Sequence, residues 1–234
     1  MIDKNRFTAL CEKNEIRLDE AAVERFDAFA SLLVEWNKKM NLTAITEPQE
    51  IEIKHFLDCL LVQKYFDFST VKTAVDIGAG AGFPSIPLLI CNENVEFTLV
   101  DSLNKRLEFL EVVCRELGIN ANLVHSRAEE LGQNKDYRES FDLALARAVA
   151  SMNVLSEYCL PFVKPGGSFV ALKGSNDDVS PAQSSIQTLG GELIDTVSYK
   201  LNNEDIRTLA IVKKISQTPT QYPRKPKKIS TKPL

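Results

Sequence analysis

From residue 73 onward the apolar positions alternate between short runs and longer stretches with three-and-four spacing, which is the pattern of strands alternating with helices. Ala74, Val75 and Ile77 predict a buried first strand. Residues 96–100, 121–125, 141–146 and 168–172 predict four more, and 192–201 with 207–215 two closing strands. Leu103, Leu107, Leu110, Cys114 and Leu117 share one face of a helix over 104–117, with Gly118 as its stop. Further helices are expected over about 151–160 and, more weakly, 180–189. Such alternation predicts an α/β fold: a doubly wound, mostly parallel seven-stranded sheet with helices on both faces.

The pattern before residue 69 is purely helical. A short helix is expected over 3–17, and Asp19 is placed to cap a long one whose buried stripe is Val23, Phe26, Ala30, Leu33 and Met40. A third helix from about Glu47 carries Ile53, Phe56, Leu57, Leu60 and Leu61. His55 and Asp58 lie three apart on it and read as a structural pair. The chain therefore divides into an N-terminal helical extension (1–68), a sheet domain (69–216) and a tail (217–234).

Composition narrows the function. Five scattered cysteines without C-x-x-C spacing and only two histidines, His55 and His125, give no support to a disulfide frame or a zinc site, so no metal is expected. The polar start MIDKNRF and the lack of a long apolar run predict a cytoplasmic chain without a membrane partner, and a monomer is expected. The net charge of −4 hides an asymmetry: residues up to Asp205 carry −12 and the remainder +8. That predicts an acidic globule with a basic tail, mobile until it meets a polyanion.

The chemistry concentrates in TAVDIGAGAGFPSIP, Thr73 to Pro87. A strand breaking through Gly78, Gly80 and Gly82 into a helix start is nucleotide-site geometry, expected to offer free N–H groups to a ligand. The third glycine comes one position too early for the dinucleotide fingerprint, and Asp76 precedes the first by two. D-x-G-x-G-x-G resembles the first motif of class I S-adenosylmethionine (SAM) methyltransferases. Asp101, about 20 residues on, is placed for ribose hydroxyls, which also leaves an NAD-linked oxidoreductase open. Ala128 and Glu129 follow strand three, where such enzymes hold adenine. Arg147 ends strand four, where the group nearest the transferred methyl sits. No Asn/Asp-Pro-Pro-aromatic motif and no nucleophilic cysteine follow that strand, which suits an acceptor with a free lone pair.

Several motifs together resemble the bacterial 16S rRNA guanine-N(7) methyltransferase family RsmG, or glucose-inhibited division protein B. They are WNKKMNLTAI (36–45), KHFLD (54–58), DIGAGAGFP (76–84), DSLNKR (101–106), SRAEE (126–130), ARAVAS (146–151), KPGG (164–167), YPRK (222–225) and KPL (232–234). The resemblance implies SAM-dependent methylation of guanine nitrogen 7 in the 530 loop of 16S ribosomal RNA, free or in a small-subunit assembly intermediate. It implies cofactor contacts from Gly78, Phe83, Ala128, Glu129 and Arg147, beside those expected of Gly80 and Asp101 from their positions, with Arg147 also at the reacting centre. Arg127 and Arg207 match basic positions near the site, and Arg224, Lys225, Lys227 and Lys228 are expected to meet RNA. The chain departs from the family pattern at Ser85 and Cys59 and in its tail, which lacks Gly-Thr-Pro. A non-catalytic, SAM-holding rRNA escort remains the alternative from another class.

Overall fold

The computed structural model describes residues 1–147, 150–174, 179–201 and 205–234. Seven strands form one sheet in the order β3-β2-β1-β4-β5-β7-β6. They are β1 (Thr73–Ile77), β2 (Glu96–Asp101), β3 (Ala121–His125), β4 (Phe141–Arg147), β5 (Val163–Gly174), β6 (Gly191–Lys200) and β7 (Ile206–Lys214). β1 to β5 pair in parallel, and β7 inserts antiparallel between β5 and β6. Strand order reverses between β1 and β4, so the ligand crevice of such a sheet lies beyond the carboxyl ends of these two strands. Because β7 runs the other way, its first residues come to that same edge: Arg207 pairs with Gly174, the last residue of β5.

Helical stretches precede the sheet, the last a single turn over Val62–Tyr65. Asp3 caps α1 (Lys4–Lys13) by accepting from the Arg6 amide, and Asp19 caps α2 (Glu20–Asn37) by accepting from Ala22, as its position predicted. The third, α3, starts as Pro48–Glu50, widens to a π-helix over Ile51–Leu57 and returns to α-helix over Asp58–Leu60. The regular helix expected there is thus interrupted, and the apolar spacing could not show it because a slightly wider turn buries the same residues. Phe7, Phe26, Phe29 and Phe56 interlock at centroid distances of 4.9–5.7 Å, and Phe29 continues the cluster to Phe83 at 5.2 Å. One hydrophobic core thereby joins the N-terminal helices to one face of the sheet.

The helices that frame the crevice are α4 (Ser85–Cys91), α5 (Asn104–Leu117), α6 (Ala128–Leu131) and α7 (Met152–Cys159). Gly118 ends α5 at φ +63°, where a side chain would be strained. α8 (Gln183–Thr188) covers the other face of the sheet with α7.

The tail corrects an expectation: it is packed on the body. Tyr222 and Ile229 are buried, and residues Pro226–Thr231 form α9. Arg138 donates to the carbonyls of Thr218 and Tyr222 at 2.6 and 2.7 Å. The fully buried carboxylate of Glu157 on α7 accepts from the Arg224 amide and guanidinium at 2.6–3.1 Å. The charge count missed this because single apolar side chains between lysines, together with partners some 70 to 80 positions upstream, do the holding.

Candidate functional site

A cavity of about 440 Å³ opens at the carboxyl ends of β1, β2, β3 and β4. Its wall includes Gly78, Gly80, Phe83, Asp101, Ala128, Glu129, Arg127 and Arg147, so eight residues expected from the sequence meet in one place. Thr43, His55, Arg106 and Tyr158 also line it. Thr43 and His55 fall in motifs noted above. Nothing in the local sequence marked Tyr158.

The glycine turn is built differently from the expectation. Gly78 and Ala79 donate to the Val100 carbonyl, Gly80 donates to Asp101 Oδ2 at 2.9 Å, and Gly82 donates to Ala79. Four amides of the turn are therefore spent within the protein and do not await an anion. What the glycines provide is close approach: Gly82 has φ +88°, and a Cβ there would lie 2.5 Å from Ile86 and 2.9 Å from Leu110. Asp101 is equally committed, since Oδ1 accepts from the Leu103 amide at 2.9 Å and Oδ2 also faces Arg106 at 3.3 Å. It braces the turn against the start of α5 while bordering the cavity. Beneath the turn, both oxygens of Asp76 and the hydroxyl of Ser85 are buried without a hydrogen bond of normal geometry. A wall with spent amides above a buried carboxylate suits a cationic nucleoside better than a pyrophosphate.

At the β4 end, Arg147 is held from three sides. Its NH1 donates to the Lys54 carbonyl at 3.1 Å and to Asp58 Oδ2 at 3.2 Å, and its NH2 donates to His55 Nδ1 at 3.0 Å. The guanidinium carbon sits 4.8 Å from the Phe83 ring centroid, on which His55 also stacks at 4.4 Å. His55 and Asp58 are thus not each other's partners, as their spacing suggested; both are partners of Arg147. Since Nδ1 accepts, the His55 proton is on Nε2 and goes to the Thr43 hydroxyl at 2.8 Å. Two of the five N–H groups of Arg147, on Nε and NH2, have no acceptor among the described residues. Of the ARAVAS motif, residues 148–149 lie outside the description.

Burial, and then the Arg147 charge, push the His55 pKa from 6.5 down to about 3. Burial pushes Asp76 from 3.8 up to about 7, with Ser85 and Arg147 pulling it back and Asp101 adding to the rise. The two shifts act on stability with opposite sign. Between about pH 6.5 and 3 the unfolded chain protonates His55 and the folded one does not, so this contribution is lost as pH falls. Between 3.8 and 7 the folded state keeps the extra proton on Asp76, so that contribution is lost as pH rises. Asp76→Asn should therefore unmask a stability that climbs from about pH 4.5 to 6.5, and His55→Asn one that declines over the same range. Urea unfolding of both variants and the parent at the two pH values checks the signs.

Arg207 stands outside the cavity, with its Nε 3.7 Å from Asp58 Oδ1. Arg224 is occupied by Glu157, with only 11% of its side chain exposed, so it anchors the tail and has little surface left for RNA. Lys225, Lys227 and Lys228 are exposed around a shallow hollow on the tail.

A family model described as GidB, rRNA small subunit methyltransferase G, matches residues 22–207. The chain belongs to that family. It is 49% identical to the ribosomal RNA small subunit methyltransferase G of Brevibacillus brevis, over 99% of both chains. It is 47% identical to the protein of the same name from Bacillus subtilis, over 94% of both. Among solved structures, the StiE O-MT domain superposes with a TM-score of 0.57 at 14% identity, over 79% of this chain and 83% of that one. YcgJ of Bacillus subtilis gives 0.52 at 14%, over 69% and 100%. These show the class I methyltransferase fold, as the strand pattern predicted. In this member of the rRNA small subunit methyltransferase G family, the N-terminal segment brings Thr43, from the loop after α2, and His55 and Asp58, from α3, to Arg147 on the β4 side of the cavity.

Proposed function

We propose that the protein uses SAM to methylate guanine nitrogen 7 in the 530 loop of 16S ribosomal RNA. The observation that carries this reading is an arginine with two N–H groups that have no acceptor among the described residues, beside a carboxylate, Asp58, whose oxygens are already bonded to Arg147 and Tyr199. His55 is neutral, but its one basic nitrogen is already taken by Arg147. Asp101 and Glu129 belong to the β2 and β3 side of the cavity, about 10 and 14 Å from β4 by strand spacing. Guanine nitrogen 7 carries a lone pair and needs no proton removed. SAM supplies an electrophilic methyl group, transferred by an in-line displacement whose main requirement is positioning.

The chain's own residues supply that positioning. The glycine turn admits the nucleoside closely, while Ala128 and Glu129 border the end opposite Arg147. An arginine here can donate to guanine O6 and leave nitrogen 7 free. Reaching a loop base costs at most a few kcal/mol of unstacking. The NAD reading loses its footing where the turn spends its amides, and nothing in the geometry favours a non-catalytic escort.

The test is to incubate the protein and SAM with ribosomal RNA or small subunits from a strain lacking the enzyme. Aniline cleavage at a 7-methylguanosine of the 530 loop is the expected result; its absence sinks the reading. The tail contributes sequence-independent attraction. Replacing Lys225, Lys227 and Lys228 by alanine should flatten the log–log salt dependence of RNA binding by about 2, at about 0.7 per lost phosphate contact, and leave SAM affinity unchanged. Deleting the tail is the poorer experiment, because it uncovers the pocket of Tyr222 and Ile229.

A further inference from the structure

Asp58 is 3% exposed, and its carboxylate meets more than one cation. Oδ2 accepts from Arg147 at 3.2 Å. Oδ1 accepts from the Tyr199 hydroxyl at 3.0 Å and lies 3.7 Å from Arg207 Nε. Tyr199 is itself buried and stacks on Tyr65 at 5.7 Å, so its hydroxyl comes from a fixed direction. Tyr199 and Arg207 are paired residues on β6 and β7. One carboxylate therefore ties α3, β4 and the β6–β7 pair together at the edge where substrate must enter. A lone buried aspartate kept for stability needs one cation. Here two arginines share it, and Arg207 also has Asp205 Oδ1 3.9 Å from its NH1. Each arginine keeps donors without an acceptor among the described residues: Nε and NH2 of Arg147, and NH2 of Arg207, whose NH1 is turned to the Ile206 carbonyl.

We propose that Asp58 is a positioning residue for the methyl transfer: its two oxygens set the spacing of Arg147, which meets the target guanine, and Arg207, which meets an adjoining phosphate, while Tyr199 locks the carboxylate in place. The inference rests on the rRNA reading above. Asparagine at this position offers one oxygen, so it serves one arginine and turns an amide toward the other. A misplacement near 1 Å at a reacting centre costs about 100-fold. The chemistry lies in Arg147, so the loss must disappear where Arg147 is already compromised.

The experiment is a double-mutant cycle on single-turnover methyl transfer to rRNA, with binding of the demethylated cofactor measured alongside. Asp58→Asn should lower kcat/KM for RNA about 100-fold and change cofactor affinity by less than about threefold. In an Arg147→Lys background the same change should cost less than about threefold. Equal losses in both backgrounds overturn the proposal, since a structural role is indifferent to what Arg147 does. Should Asp58→Asn fail to fold, Tyr199→Phe takes its place in the cycle, with a loss of about tenfold expected in the parent and within twofold beside Arg147→Lys. Equal losses there overturn it as well. A parent protein that transfers no methyl group to rRNA overturns the rRNA reading, and this inference with it, before any variant is compared.

Discussion

Arg147→Ala is expected to lower kcat/KM for rRNA methylation by about 10²–10³-fold, the usual cost of removing a donor aimed at the reacting group. The argument starts from its surroundings. Three acceptors, the Lys54 carbonyl, His55 and Asp58, fix the guanidinium over Phe83, and the remaining N–H groups have no acceptor among the described residues. Alanine removes those donors and leaves the buried Asp58 to Tyr199 and the more distant Arg207. Cofactor affinity should suffer far less, within about tenfold, because the glycine turn and Asp101 are braced by bonds that do not involve Arg147. Lysine should recover little of the rate. It restores the charge but not the planar fork that lets one side chain serve protein and substrate at once. Single-turnover methylation beside calorimetric titration with the demethylated cofactor separates the two effects. Equal losses in both would move Arg147 from the substrate to the cofactor.

The largest effect on stability is expected at Glu157. It is fully buried and takes every bond that Arg224 makes with another residue's side chain, as well as that residue's amide. Glu157→Ala strands the guanidinium in a nearly closed site, which costs about 3–5 kcal/mol. At 234 residues that corresponds to a fall in Tm of roughly 10 °C. The tail should detach before the sheet melts, exposing Lys225, Lys227 and Lys228 to trypsin at temperatures where the parent resists. Replacing both partners by apolar residues, Glu157→Leu with Arg224→Met, should regain most of the loss, because a buried pair stabilises little relative to a well-packed apolar one. A Glu157→Ala protein melting within a degree or two of the parent would show that the pair is incidental to holding the tail.

How the sequence related to the structure differs by element. β3 and α5 were legible to the residue, because a short apolar run and a three-and-four stripe each admit one reading when bounded by turn residues such as Gly118. The cavity wall was legible because strand ends are fixed once strands are: Asp101 and Arg147 end β2 and β4, and Ala128 follows β3 by three residues. The roles of those residues were less so. Asp101, expected to meet a ribose, also accepts from the Gly80 and Leu103 amides, bonds that no spacing encodes. His55 and Asp58 looked like a pair because they are three apart, whereas the partner of both is about 90 residues away. The tail was misread for the same reason: its lysines are visible in a count, and Glu157 and Arg138, which hold it, are not. Local pattern carries local structure. A charged residue's partner is a property of the finished fold.

The bonded amides of the glycine turn have a consequence for turnover. Gly78, Ala79 and Gly80 are anchored to β2 and Asp101 by the protein itself, so the seat is complete before anything sits in it. The entropy of ordering that wall is spent once, at folding, and is not charged again to each molecule that binds. A spent cofactor can leave and a fresh one enter without the wall collapsing between them.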